Sequence, residues 1–189
     1  MENQIKILKK LISQTIRIFA KMMKKILPFL VISIFIVIIV SVFLSISSSK
    51  KMIVVKEGNI ERSPIEMKKG IYQDSDCGMV IDDLKDASQV IAKNGKSWFF
   101  HDHGGFVKWL EDKEFKDSAK IWVMSRDTKR WIDGRGAFYS LTDKTAMGYG
   151  FGAYEKKEKG YVDFDTMRLR MLRGETLRNP LIRKQLLGY

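Results

Sequence analysis

One cysteine occurs in this 189-residue chain, within Asp74-Ser75-Asp76-Cys77-Gly78-Met79. On extended backbone alternate side chains share a face, so the Cys77 thiol and the Met79 thioether would point the same way, with Gly78 leaving the space between them open. A thiolate and a thioether are soft donors that favour Cu(I) over hard cations. A site with two or three such ligands keeps a position free for a donor arriving on another protein. The same two residues also suit a packed interior, as a small hydrophobe and a flexible gap-filler. A lone Cys excludes an intramolecular disulfide and a multi-cysteine zinc site.

Both histidines lie in Phe99-Phe100-His101-Asp102-His103-Gly104-Gly105. At a strand end His101 and His103 would face one way and offer two imidazoles, with Asp102 as the acceptor that orients one ring. Solvated loop residues, or a helix cap at His101, are the other readings of this spacing. Met147, in Thr145-Ala146-Met147-Gly148-Tyr149-Gly150, is a third soft donor by type, but Met124, Met167 and Met171 show how freely the chain uses methionine. Spacing alone does not bring Met147 to Cys77. Asp74, Asp76, Asp82 and Asp83 surround the cysteine in sequence with negative charge, which favours a cation or a basic partner.

These residues need a scaffold, and hydropathy patterning supplies one. Val80-Ile81 reads as a strand, and stretches 88–93 and 96–100 flank Asn94-Gly95, a strong hairpin signal. Residues 105–115 carry Phe106, Trp109, Leu110 and Phe115 at helical spacing, and 120–125 reads as a buried strand. The order is ββαβ. Further strand-like pieces fall at 130–133, 137–141, 147–154 and 160–164, followed by a basic helical tail from Thr166, so the fold class is α+β. No phosphate loop, dinucleotide fingerprint or His-Glu-x-x-His helix occurs. The Gly148–Gly152 glycines mark a tight strand where backbones approach closely.

The longest apolar run, 26–46, contains no charged residue. As a helix at ~1.5 Å per residue it extends roughly 31 Å, the thickness of a bilayer's hydrocarbon layer. Lys6, Lys9, Lys10, Arg17, Lys21, Lys24 and Lys25 precede it, opposed only by Glu2. This asymmetry predicts a cytoplasmic N-terminus and an external C-terminal part. Much of the net charge of +12 is therefore topogenic, and membrane attachment, not nucleic-acid binding, is the expectation. Ile5, Leu8, Leu11, Ile12, Ile16 and Phe19 would line one side of a basic helix on anionic lipid. A cleaved signal peptide is the rival reading; its best exit site is the Ser-rich stretch 45–49. The expected organisation is a basic cytoplasmic segment (1–25), a transmembrane anchor (26–46), a linker (47–71) with one short strand at 52–55, a folded domain (72–165) and a basic tail (166–189).

Taken in order, these features resemble the NosL family of nitrous oxide reductase accessory proteins. The resemblance rests on Cys77-Gly78-Met79-Val80-Ile81 and on Phe99-Phe100-x-Asp102-x-Gly104 before an aromatic-rich helix. It continues with Trp131-Ile132-Asp133, Ala137-Phe138-Tyr139, and Met147-Gly148-Tyr149-Gly150 with Ala153 close behind. It covers roughly residues 72–165. It implies two related ββαβ units and an extracytoplasmic Cu(I) metallochaperone, not an enzyme, which supplies a copper-enzyme client, typically nitrous oxide reductase, and its assembly machinery. It also implies that Cys77, Met79 and Met147 converge as ligands; on the chaperone reading one histidine, from outside the family pattern, would complete the site while copper is parked.

Three features depart from the family pattern. No cysteine lies near the apolar run, so a transmembrane helix would replace the family's frequent lipid anchor, placing the protein in a bacterial inner membrane with its domain in the periplasm. His101 and His103 stand where an acidic and an apolar residue are expected. The tail, with Arg168, Arg170, Arg173, Arg178, Arg183 and Lys184 against Glu175, lies outside the shared pattern and would dock a partner or lipid headgroups, or stand as a solvated helix. Two other functions fit the same residues. One is a thiol enzyme with Cys77 as nucleophile and His101 or His103 as base, although the similar organomercurial lyase fold implies paired cysteines. The other is a metal-free scaffold for a membrane assembly.

Overall fold

The computed structural model describes residues 2–47 and 52–188. It divides into two compact units, Met1–Lys50 and Lys51–Tyr189. The first is one helix, α1 (Glu2–Ser47), and the second is a mixed α/β unit built on a sheet.

Within α1, Phe29, Phe35, Val37 and Phe43 are each more than 60% exposed. At 100° per residue these positions point in different directions around the axis. Between residues 26 and 44 the helix is apolar all round and exposed, which suits apolar surroundings. Its Ser13–Leu44 stretch is long and apolar enough to cross a membrane, a property it shares with signal sequences. The side chains of residues 2–12 and 45–51, where part of the basic stripe and the Ser-rich exit site fall, lie outside the described residues.

The second unit is organised by a five-stranded antiparallel sheet of β1 (Val55–Lys56), β2 (Ser88–Ile91), β3 (Ser97–Phe100), β4 (Lys120–Met124) and β5 (Trp131–Asp133), in the order β1-β3-β2-β4-β5. The Asn94-Gly95 signal forms the β2–β3 hairpin. Gly95 sits at φ +79, and a Cβ there would fall 2.7 Å from the Asn59 backbone, so both conformation and space require glycine. Helix α2 (His103–Glu111) follows β3 and leads to β4, giving ββαβ in chain order. A two-stranded pair follows, β6 (Phe138–Tyr139) with β7 (Ala153–Tyr154), and then helices α3 (Phe164–Leu172) and α4 (Pro180–Leu187).

The period of two sorts the sheet's side chains onto two cores. Val90, Phe100, Ile121 and Val123 face the larger one, closed by Phe106, Val107 and Leu110 of α2 and by Phe164, Met167 and Met171 of α3. Phe106 and Phe164 stack with centroids 6.4 Å apart. Phe99 faces the other side, with Met67, Tyr72 and Ile81. All of these residues belong to the second unit, so its interior is complete without α1.

The smaller core changes the reading of the expected linker. Residues 52–71 are built into the fold. Ile53 bridges Tyr72, β1 pairs with β3, and Met67 is buried. The buried Gln89 side chain donates to the Ile65 carbonyl (2.7 Å) and accepts from the Ile65 N–H (2.8 Å), fastening this stretch over the sheet. Sequence periodicity is weak here because irregular backbone covers the sheet through isolated bridges and side-chain amides. Two strand expectations also shrink. In 147–154 only Ala153–Tyr154 pairs, since Gly148 (φ +71) and Gly150 (φ +98) turn the chain. In 160–164 only Val162 bridges, to Tyr139, because Asp163 already caps α3.

Candidate metal centre

Gln73 and Val80 form an antiparallel bridge, and Asp74–Met79 is the loop between them. Within it the Asp74 N–H donates to the Met79 carbonyl (2.8 Å) and the Gly78 N–H to the Asp74 carbonyl (3.0 Å). Gly78 lies at φ +75, a left-handed conformation that costs an L side chain about 1 kcal/mol or more. Cys77 and Met79 therefore do not sit on extended backbone as expected. Cys77 is held in a tight turn whose N–H groups bind a carboxylate.

That carboxylate is Asp74, 2% exposed. One of its oxygens accepts from the N–H groups of Asp76 (2.8 Å) and Cys77 (3.0 Å). The other accepts from the His101 backbone N–H (2.9 Å) and from His101 Nδ1 (2.6 Å). Cys77 Sγ lies 3.9 Å from the same Nδ1. Ligand atoms of Asp74, Cys77 and His101 all fall within 4.8 Å of one another, the geometry of a possible metal site. Cys77 is exposed, whereas His101 is nearly buried and its Nε2 has no hydrogen-bond partner.

His101 reaches this loop because β3 delivers it. Phe99 and His101 are two apart and face the smaller core's side, where Ser75 clamps the loop by donating its N–H to the Phe99 carbonyl (2.8 Å). The strand ends at Phe100, and Asp102 at φ −147 caps α2, accepting from the Gly104 N–H (3.1 Å). The alternation is thereby broken, and His103 turns into the larger core. It is fully buried against Phe106 and Tyr139, with Nδ1 2.7 Å from Ser88 Oγ. Burial, with Arg126 adding repulsion, pushes its pKa down to about 3, so His103 is a neutral core imidazole. The two histidines thus do not act as a pair.

Asp102, expected to orient an imidazole, instead joins α2 to the Met147 segment: its second carboxylate oxygen accepts from the Met147 N–H (2.8 Å). Met147 is half-buried against the larger core, and Met79 is 45% exposed on the Cys77 loop. Gly104 completes the link between these segments, since the Tyr149 ring lies against it and leaves no room for a Cβ.

The electrostatics follow from this arrangement. Burial tends to raise the Asp74 carboxyl, but the His101 ring and the three N–H donors outweigh it and hold the group below the usual carboxylate range. The Asp74 contact raises the His101 pKa, partly offset by burial. Burial pushes the Cys77 thiol up. The Met79 N–H works against that shift, and the Asp74 and Asp76 charges reinforce it. A raised thiol is a poor nucleophile without a metal. In a Cys-His-Asp relay the cysteine and the carboxylate contact different ring nitrogens, yet here both approach Nδ1. The arrangement suits ion capture better. A carboxylate holds one edge of an imidazole, an exposed thiol stands beside it, and a buried ring nitrogen remains unpartnered.

Asp74 is the site residue that motif reading missed as a direct partner. Its signal was an Asp three positions before the cysteine, the spacing of a side-chain-closed turn.

No family model matches this chain, and comparison with curated proteins gives no match. Among solved structures, the crystal structure of the copper chaperone NosL from Shewanella denitrificans is similar, at 16% identity and a TM-score of 0.45, covering 57% of this chain and 87% of that chain.

Proposed function

We propose that this protein is a membrane-anchored Cu(I)-binding metallochaperone that delivers copper to a copper-enzyme client, nitrous oxide reductase being the client implied by the order of motifs. The observation that carries the reading is the convergence of Cys77, His101 and Asp74 within 4.8 Å. Cys77 binds as thiolate, and His101, its Nδ1 held by Asp74, offers Nε2 as the nitrogen donor; because Sγ stands 3.9 Å from Nδ1, loading turns the exposed Cys77 side chain toward Nε2. Met79, on the same loop, and Met147 are the thioether candidates. Soft sulfur and imidazole together select Cu(I), and Asp74 acts on the ring and not as a hard ligand.

Transfer is ligand exchange at an exposed sulfur. An acceptor thiolate bonds to the copper as the Cys77 sulfur releases it, and Cys77 regains the proton it lost on loading. Copper stays monovalent throughout. The α1 helix spans the bilayer with its basic flank in the cytoplasm, which places residues 51–189 in the periplasm.

Anaerobic titration of the detergent-solubilised full chain with Cu(I), against a competing chelator, tests the copper site. One equivalent should bind, with a sulfur-to-copper charge-transfer band that Cys77→Ser abolishes. Stoichiometric uptake by Cys77→Ser would overturn the reading. Because Cys77 is the chain's lone cysteine, labelling intact cells with a membrane-impermeant maleimide tests the topology, and Cys77 that reacts only after lysis rejects it.

A further inference from the structure

Helix α4 (Pro180–Leu187) is fully capped yet has no buried residue. The Asn179 side chain accepts from the Leu181 N–H (3.0 Å), Pro180 opens the first turn, and Gly188 at φ +82 closes the last, its N–H donating to the Lys184 carbonyl (2.9 Å). An eight-residue helix with no fully buried side chain is marginal in water. A sequence that terminates such a helix so completely presets its shape for something outside the fold.

The surface chemistry indicates what that is. Leu181 is 78% exposed, Ile182, Leu186 and Leu187 are only partly covered, and Arg183 and Lys184 are exposed between them. Neither basic residue forms an ion pair among the described residues, whereas Arg168 pairs with Glu111 and Arg170 with Glu175. No acidic residue follows Glu175. An exposed leucine, with Ile182, Leu186 and Leu187 partly exposed around it, beside unpaired cations is complementary to the boundary of an anionic bilayer, where acyl chains take the apolar side chains and phosphates the cations.

We propose that α4 is a second, reversible membrane contact that binds anionic lipid headgroups. The proposal rests on the membrane-anchored reading above, which supplies the surface. Residues 48–52 alone link α1 to the bridge at Ile53, and a chain of that length spans no more than about 20 Å. A domain tethered so closely meets the bilayer at high effective concentration, so each weak contact counts. The contact restrains how the domain tumbles on its anchor.

The test uses residues 51–189, whose cores are complete without α1, in flotation with vesicles of phosphatidylcholine alone or with roughly a third phosphatidylglycerol. Binding should require phosphatidylglycerol, weaken with added salt, and fall about thirtyfold in an R183Q/K184Q double variant. Leu181→Asp should weaken it as well. Since Leu181, Arg183 and Lys184 are exposed, these variants should keep the parent's melting temperature and Cu(I) uptake. Failure to bind anionic vesicles, equal binding to neutral ones, or undiminished binding by the double variant would overturn the proposal, as would a protein partner captured through α4 with no vesicle binding. Carbonate extraction of membranes holding the full chain tests the α1 anchor separately: release of the full chain rejects the anchor, and loss of vesicle binding by residues 51–189 rejects only the α4 contact.

Discussion

Asp74 and His101 are joined twice through a single carboxylate oxygen, which accepts from the backbone N–H at 2.9 Å and from the ring Nδ1 at 2.6 Å. The double contact fixes both the position and the rotation of the imidazole beside Cys77.

Cys77→Ser should abolish Cu(I) binding while leaving the fold intact. The side chain is exposed and its turn is held by backbone groups, so the stability change should stay within about 0.5 kcal/mol by urea denaturation. A larger loss would mean that the thiol is structural.

Asp74→Ala removes an acceptor used by four donors and strands them in or near the interior. A loss of roughly 2–4 kcal/mol is expected, read as a lowered urea midpoint. Asp74→Asn keeps an acceptor and should cost less stability, yet weaken Cu(I) affinity by about 10–100-fold, because the ring is no longer held by a charge. Unchanged affinity in the Asn variant would remove Asp74 from the site.

The titrations carry a definite sign. His101 is raised in the folded protein, so its contribution is complete below its unfolded value of about 6.5 and is lost as pH rises through the folded value. Asp74 is lowered, so its contribution is present above about 3.9 and is lost as pH falls through its folded value. The stability gap between wild type and His101→Gln should therefore be widest near pH 4–6.5 and shrink towards alkaline pH; a gap that widens above neutrality contradicts the pairing.

Loading copper must displace the Cys77 proton, since the thiol is raised. Apparent Cu(I) affinity should climb about tenfold per pH unit through neutrality, with proton release visible in weakly buffered solution. A flat profile would show that sulfur does not bind as thiolate.

Gln89→Leu should destabilise the unit by about 1–3 kcal/mol, because both polar groups of Ile65 lose their partner. Proteolysis should then cut within 60–71 sooner than in the parent. Wild-type resistance would mean that this stretch does not depend on the amide.

Local features were legible in neighbouring residues. Asn94-Gly95 set the hairpin, helical spacing put Phe106 and Leu110 on α2, and an uncharged run marked residues 26–46 of α1. These are properties of neighbours in the chain, where period and turn chemistry suffice. Tertiary structure decided the site. His-x-His promised two imidazoles on one side, but Asp102 ends the strand and starts a helix, so His101 meets Asp74 and Cys77 while His103 enters the core. Cys-Gly-Met promised an extended pair, but Gly78 takes a left-handed turn that closes the chain around a carboxylate. Contacts across a separation such as Asp74 to His101 depend on which loop the sheet brings beside which strand end, and no local periodicity records that.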